Sequence, residues 1–178
     1  MSITHFAEVE AQIRQLYAHY TDAVWRKDPT AFGQCFAPEA EWRIAGMVMH
    51  GRDEIASGFE HIMSNANRVL ITFGTPQLDW REDQAMGRIY ATEQCSWRDK
   101  QPNMNIGRYF ERYVYDGDRW RFSWRLFQLL YQGPADLSGP HFDVPDFGPW
   151  PAMPPQETVP LPSPARAVGW PQAAQARG

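Results

Sequence analysis

The sequence predicts an α+β domain, and three observations carry that expectation. Apolar residues recur at helical spacing as far as residue 27, strand-like segments follow one another after residue 67, and the last 46 residues hold eleven of the fifteen prolines. The 178 residues suit one domain with a real core rather than two. We expect the domain to span 1–132 and a proline-rich tail to span 133–178.

In chain order, Phe6, Val9, Ile13, Leu16, Tyr17, Tyr20 and Val24 fall on one stripe of an amphipathic helix over 5–27. Asp28 then caps a second, short helix with Pro29 at its first position. Residues 41–50 read as a bent strand or strand pair. GRDEIASGFEHIM, 51–63, gives a further helix with Ile55, Phe59 and Ile62 aligned and Glu54 suited to the positive end of the dipole. Strands are predicted over 68–81, 84–99, 103–115 and 119–132, separated by EDQ, KQPN and DGD. The last is a hairpin signal, because Asp-Gly accepts the positive φ of a tight turn. The tail cannot form sheet or long helix. Its first part, GPADLSGPHFDVPDFGPW, keeps enough Leu, Phe and Trp to pack on the domain or on a neighbouring subunit. No internal repeat is seen.

Composition narrows the function. Apolar residues make up 43% and aromatics 14%, with eight Trp and ten Phe, so an aromatic-lined pocket is expected. The net charge of −4 offers no footprint for a nucleic acid backbone. Cys35 and Cys95 make no disulfide framework, the first fifteen residues lack the features of a signal peptide, and no apolar run reaches the roughly 20 residues of a membrane span. The expected location is the cytoplasm. His5, His19, His50, His61 and His141 show no ligand spacing, so no metal is expected.

Alternation over RIYATEQCSWR, 88–98, sets Ile89, Ala91, Glu93, Cys95 and Trp97 on one face. A glutamate thus interrupts an apolar row. An unpaired buried carboxylate costs several kcal/mol, so it must be paired, hydrogen-bonded or protonated. On the last strand Arg121, Ser123, Arg125, Phe127 and Leu129 share a face, and Arg125 is the expected partner of Glu93.

Three stretches, IRQLYAHYTDAVWRKDPTAFGQCFAPEAEWRIAG, HGRDEIASGF and RYFERYVYDGDRWRFSWRL, resemble in order and spacing the SnoaL-like branch of the NTF2-like superfamily. The resemblance covers 5–132. It implies a cone-shaped, curled antiparallel sheet closed by the N-terminal helices around a pocket. It also implies a cofactor-independent lyase, commonly a homotrimer, and within the branch the dehydrochlorinase and dehydratase families look most similar. Their Asp–His base dyad would fall on Trp25 and on or near Thr72, neither of which moves a proton, so the dyad is not carried over. The resemblance makes Trp42 pocket wall, and it turns Ala91, Glu93 and Cys95 inward together with Tyr109 and Glu111 of the next strand.

The candidate catalytic residues are therefore Glu93 as general base or acid, Arg125 stabilising developing negative charge, and Tyr109 or Tyr20 as hydrogen-bond donor. The other reading of Glu93 and Arg125 is a structural ion pair. Tyr20, Trp25, Trp42, Phe59, Thr72, Ala91, Cys95, Glu111 and Phe127 are the candidate substrate contacts, with plain core as the alternative for Trp25 and Trp42. Cys95 has no histidine base and reads as a packing residue. The function expected is elimination, by dehydration or by loss of formaldehyde, on a hydrophobic aromatic molecule such as a lignin-derived diaryl compound. The alternatives are a polyketide- or steroid-type isomerase or cyclase and a non-catalytic binding or structural subunit. Trp120, Phe122 and Trp124 on the outer face would leave an apolar patch, from which a homo-oligomer is expected, a trimer foremost.

Overall fold

The computed structural model describes residues 3–162. Its elements in chain order are α1 (Ile3–Arg26), α2 (Pro29–Gly33), β1 (Phe36–Ile44), β2 (Met47–His50), α3 (Arg52–Met63), β3 (Ala66–Phe73), β4 (Gln77–Arg81), β5 (Gln84–Trp97), β6 (Asn103–Tyr115) and β7 (Trp120–Gly133). One seven-stranded sheet runs β2-β1-β7-β6-β5-β3, with β4 also on β5. All pairings are antiparallel except β1 with β7. The sheet is curled and unclosed, and α1 and α3 lie across its concave face.

Local chemistry explains the boundaries. Asp28 accepts from the Ala31 N–H and caps α2, whose first residue is Pro29. The β1–β2 turn is Ala45-Gly46, both with positive φ, which is the geometry of a two-residue hairpin. The segment predicted as one strand over 68–81 is two strands, because Gly74-Thr75-Pro76 interrupts the ladder. β1 begins five residues earlier than predicted and carries Pro38 at a register shift against β7.

Inside the cone, α1 contributes Ile13, Leu16, Tyr17, Tyr20 and Val24, and the strands contribute Trp42, Ile71, Ile89, Tyr109, Tyr113 and Phe122. Phe32 and Phe59 stack with centroids 3.9 Å apart, tying α2 to α3.

Strand β7 departs from the sequence reading. Simple alternation places Trp120, Phe122, Trp124 and Leu126 on one outer face. A register shift opposite Arg112 and Tyr113 leaves Ser123 unpaired, so Trp120 and Phe122 join the inner core while Trp124 and Leu126 turn outward with Phe110. That smaller outer cluster is covered by Phe147 and Met153 of the chain's own tail. The apolar patch from which an oligomer was argued is therefore smaller than expected, and much of it is screened within the chain. Arg43 donates to the Thr158 carbonyl at 2.9 Å and Gln128 to that of Pro145 at 3.1 Å, holding the tail along β1 and β7.

Candidate active site

The concave face encloses a cavity of about 260 Å³. Its walls are apolar and aromatic, with Trp42, Phe59, Ile71, Trp97 and Phe127 among them, and its polar groups include Glu93, Asn105, Gln132, Tyr20 and Tyr109. Asp99 and Lys100 also line it, and the Lys100 ammonium rests 4.0 Å from the centre of the Trp97 ring. The tail returns to supply Leu161.

Glu93 is half-buried and opens onto this cavity. Its Oε2 accepts from Asn105 Nδ2 at 3.0 Å, and Glu93 and Asn105 face each other directly across β5 and β6. Burial raises the Glu93 pKa; the Asn105 hydrogen bond, the Arg125 charge and the Tyr109 hydroxyl oppose that rise without cancelling it. Burial likewise pushes the Tyr20 phenol up to about 12 and the Tyr109 phenol well above the ordinary tyrosine value. Both therefore keep a proton that they can donate at neutral pH. Cys95 lines the cavity too, but burial pushes its thiol up, so it offers no thiolate. Trp42 lines the wall, and its indole N–H is buried without a partner among the described residues.

Behind the cavity lies a second, sealed cluster. Arg125 and Glu111 are both fully buried and face each other across β6 and β7. Arg125 Nε donates to Glu111 Oε1 at 2.7 Å, and Nη2 stands 2.6 Å from the same oxygen. Tyr17 and Tyr113 both donate to Glu111 Oε2. The two terminal nitrogens of Arg125 make no well-aligned hydrogen bond among the described residues. Rings solvate them instead, with the guanidinium carbon 3.9 Å from the Tyr109 centroid, 4.1 Å from Phe122 and 4.5 Å from Tyr20. Gly87 makes room, since a Cβ there would come within 2.9 Å of the Tyr113 hydroxyl.

The expected Glu93–Arg125 ion pair is thus replaced. Arg125 pairs with Glu111 because the two are opposite in the β6–β7 register, whereas Glu93 lies opposite Asn105, one strand farther away. Arg125 and Glu111 do not line the cavity, so neither stands where a substrate would touch it. Tyr20, Trp42, Phe59, Glu93, Cys95, Tyr109 and Phe127 do line it. Ala91 is buried against Phe73 of β3 and does not. Trp25 and Thr72 are on the outside. Trp25 is 46% exposed beneath the Arg68 guanidinium, and Thr72 pairs outward with Thr92, each one residue from an inward neighbour. Those neighbours, Val24 and Ile71, form the cavity wall and cannot transfer a proton either.

Asn105 and Gln132 escaped the sequence reading. Alternation back from Tyr109 reaches Asn105, so its orientation was readable. Gln132 was not, because a register shift at Ile106–Gly107 leaves Leu130 unpaired and reverses parity near the end of β7.

Among the described residues no helix is long and apolar enough to cross a membrane, and no three His, Cys, Asp or Glu side chains converge as a metal site would need. No curated protein sequence matches the chain. Among solved structures it is similar to a protein of Novosphingobium aromaticivorans described as a candidate scytalone dehydratase (TM-score 0.69, 16% identity, 86% of this chain and 100% of that one). It is similar also to a type 2 hexachlorocyclohexane dehydrochlorinase (0.69, 19%, 81% and 99%) and to an NTF2-like protein of Salmonella enterica (0.64, 19%, 73% and 94%). At these identities the likeness concerns the fold. The SnoaL-like domain profile matches residues 6–125, which run from α1 into β7 and include Glu93, Asn105, Glu111 and Arg125, and the chain belongs to that family.

Proposed function

We propose that the protein is a cofactor-independent lyase acting on an uncharged, hydroxylated aromatic molecule, with Glu93 as its acid–base group. One observation carries the reading: an accessible carboxyl with a raised pKa stands beside two phenol donors in a cavity walled mainly by apolar and aromatic side chains. The dehydratase and dehydrochlorinase among the structural neighbours supply the reaction class.

In dehydration, Glu93 takes the proton from carbon, the C–H electron pair becomes the double bond, and the C–O bond breaks. Tyr109 and Tyr20 hydrogen-bond the departing oxygen, and Glu93 returns the proton to it, so water leaves and the enzyme is unchanged. In the deformylating version the proton comes from a hydroxymethyl O–H and the C–C bond breaks to release formaldehyde. The freed pair then expels the neighbouring hydroxyl as before. The unpartnered Trp42 N–H is the donor for a further substrate oxygen. Arg125 acts from behind the Tyr20 and Tyr109 rings, as a positioning charge. The same proposal includes a cytoplasmic role in aromatic catabolism and assembly as a homo-oligomer, for which a monomeric mass at micromolar concentration is the contrary result.

The test is incubation with a panel of hydroxylated mono- and diaryl compounds, products being read by mass. Loss of water or of formaldehyde by the native protein, reduced roughly a hundredfold or more in Glu93→Gln, is expected. Equal turnover by the variant ends the reading.

A further inference from the structure

The indole N–H of Trp97 donates to Asn103 Oδ1 at 2.6 Å. An indole can only donate, so the Asn103 carbonyl must face it and the Asn103 amide nitrogen must point away. That nitrogen donates to Asn105 Oδ1 at 2.7 Å, and Gln132 Nε2 donates to the same oxygen at 3.0 Å. With its oxygen held by two donors, Asn105 has one orientation left, and its Nδ2 faces Glu93 Oε2 at 3.0 Å. Every hydrogen-bond direction in this chain of amides follows from an indole that has no other choice.

We propose that this amide relay, Trp97 to Asn103 to Asn105 with Gln132 joining, gives the two carboxyl oxygens of Glu93 different tasks. Oε2 is held as a permanent acceptor. A proton there would confront the Asn105 N–H, so the proton that Glu93 gains and loses resides on Oε1. Asn105 is accordingly a positioning residue that fixes which oxygen exchanges the proton and stabilises the ionised carboxylate. Trp97 lines the cavity while anchoring the relay, so an occupant resting on that ring contacts the first link of the chain that orients the base.

The catalytic consequence rests on the lyase reading, whereas the assignment of the oxygens does not, and its test needs no substrate. The Glu93 carboxyl is titrated by infrared difference spectroscopy, the band being assigned by its loss in Glu93→Gln. Tyr109, Tyr20, Cys95 and Arg125 act electrostatically on this carboxyl or its neighbours, Asp99 and Lys100 line the same cavity, and all are kept in the variants. Asn105→Ala removes a donor to the charged form, so the midpoint should rise by about 1 to 2 pH units. Trp97→Phe frees the upstream amide and should move it the same way by less, and it serves if Asn105→Ala does not fold. An unmoved midpoint in folded Asn105→Ala overturns the proposal, as does an unmoved midpoint in Trp97→Phe where only that variant folds. A raised midpoint together with full turnover by Glu93→Gln leaves the relay standing and ends the lyase reading.

Discussion

Two glutamates sit inside the cone on adjacent strands, and their surroundings differ. Glu111 is fully buried, carries Arg125 as counter-charge and receives two tyrosine hydroxyls. Glu93 opens onto the cavity and, among the described residues, has one amide donor within hydrogen-bond distance and no cation in contact. The first carboxylate is compensated from every side and has nothing left to offer a substrate. The second is compensated in part, which leaves its pKa raised. Both glutamates lie inside the same cone, so position does not separate them; completeness of compensation does, and on the proposed reading it divides a structural charge from a chemical one.

The largest effect should come from breaking the sealed cluster. Arg125→Met leaves Glu111 buried with no counter-charge and should cost about 3–5 kcal/mol, measured by urea unfolding. A loss under about 1 kcal/mol would mean that Glu111 is not held by Arg125. Removing one hydroxyl is gentler. Tyr17→Phe and Tyr113→Phe each delete a hydrogen bond to a charged group and should each cost about 1.5–3 kcal/mol, with less than additive loss in the double variant because both donate to one oxygen.

The smallest effect is a pH dependence. The Glu93 pKa is raised in the folded chain, so the folded state binds the proton more readily than the unfolded one. Its contribution is fully present below the ordinary glutamate value of about 4.3 and is lost as pH rises through the raised value. Stability should therefore fall across that window in the native protein. The same segment of the melting-temperature profile should be flatter in Glu93→Gln.

Much of the fold was legible because helix and strand periods survive in the chain: the α1 stripe, the Asp28-Pro29 start of α2 and the Asp116-Gly117 hairpin all follow from local rules. What failed did so at single residues that shift parity. Ser123 and Leu130 are unpaired in β7, so alternation read straight through them misplaces Trp120 and Phe122 and hides Gln132. Trp25 and Thr72 miss the cavity by one position, a distance that reverses a face in a strand and turns about 100° around a helix. The partner of Glu93 was not legible at all. It depends on which strand lies next to β5, and the nearer polar group is Asn105 of β6, not the arginine one strand beyond.

The most direct measurement is the melting temperature and the turnover of Glu93→Gln beside those of Glu111→Gln, at one pH above neutrality. Glu93→Gln should melt no lower than the native protein, because a partly compensated carboxylate is removed, while turnover falls roughly a hundredfold or more. Glu111→Gln should melt well below it, because Arg125 loses its counter-charge. Equal destabilisation by the two substitutions, or full turnover by Glu93→Gln, would contradict the division between a structural and a chemical glutamate.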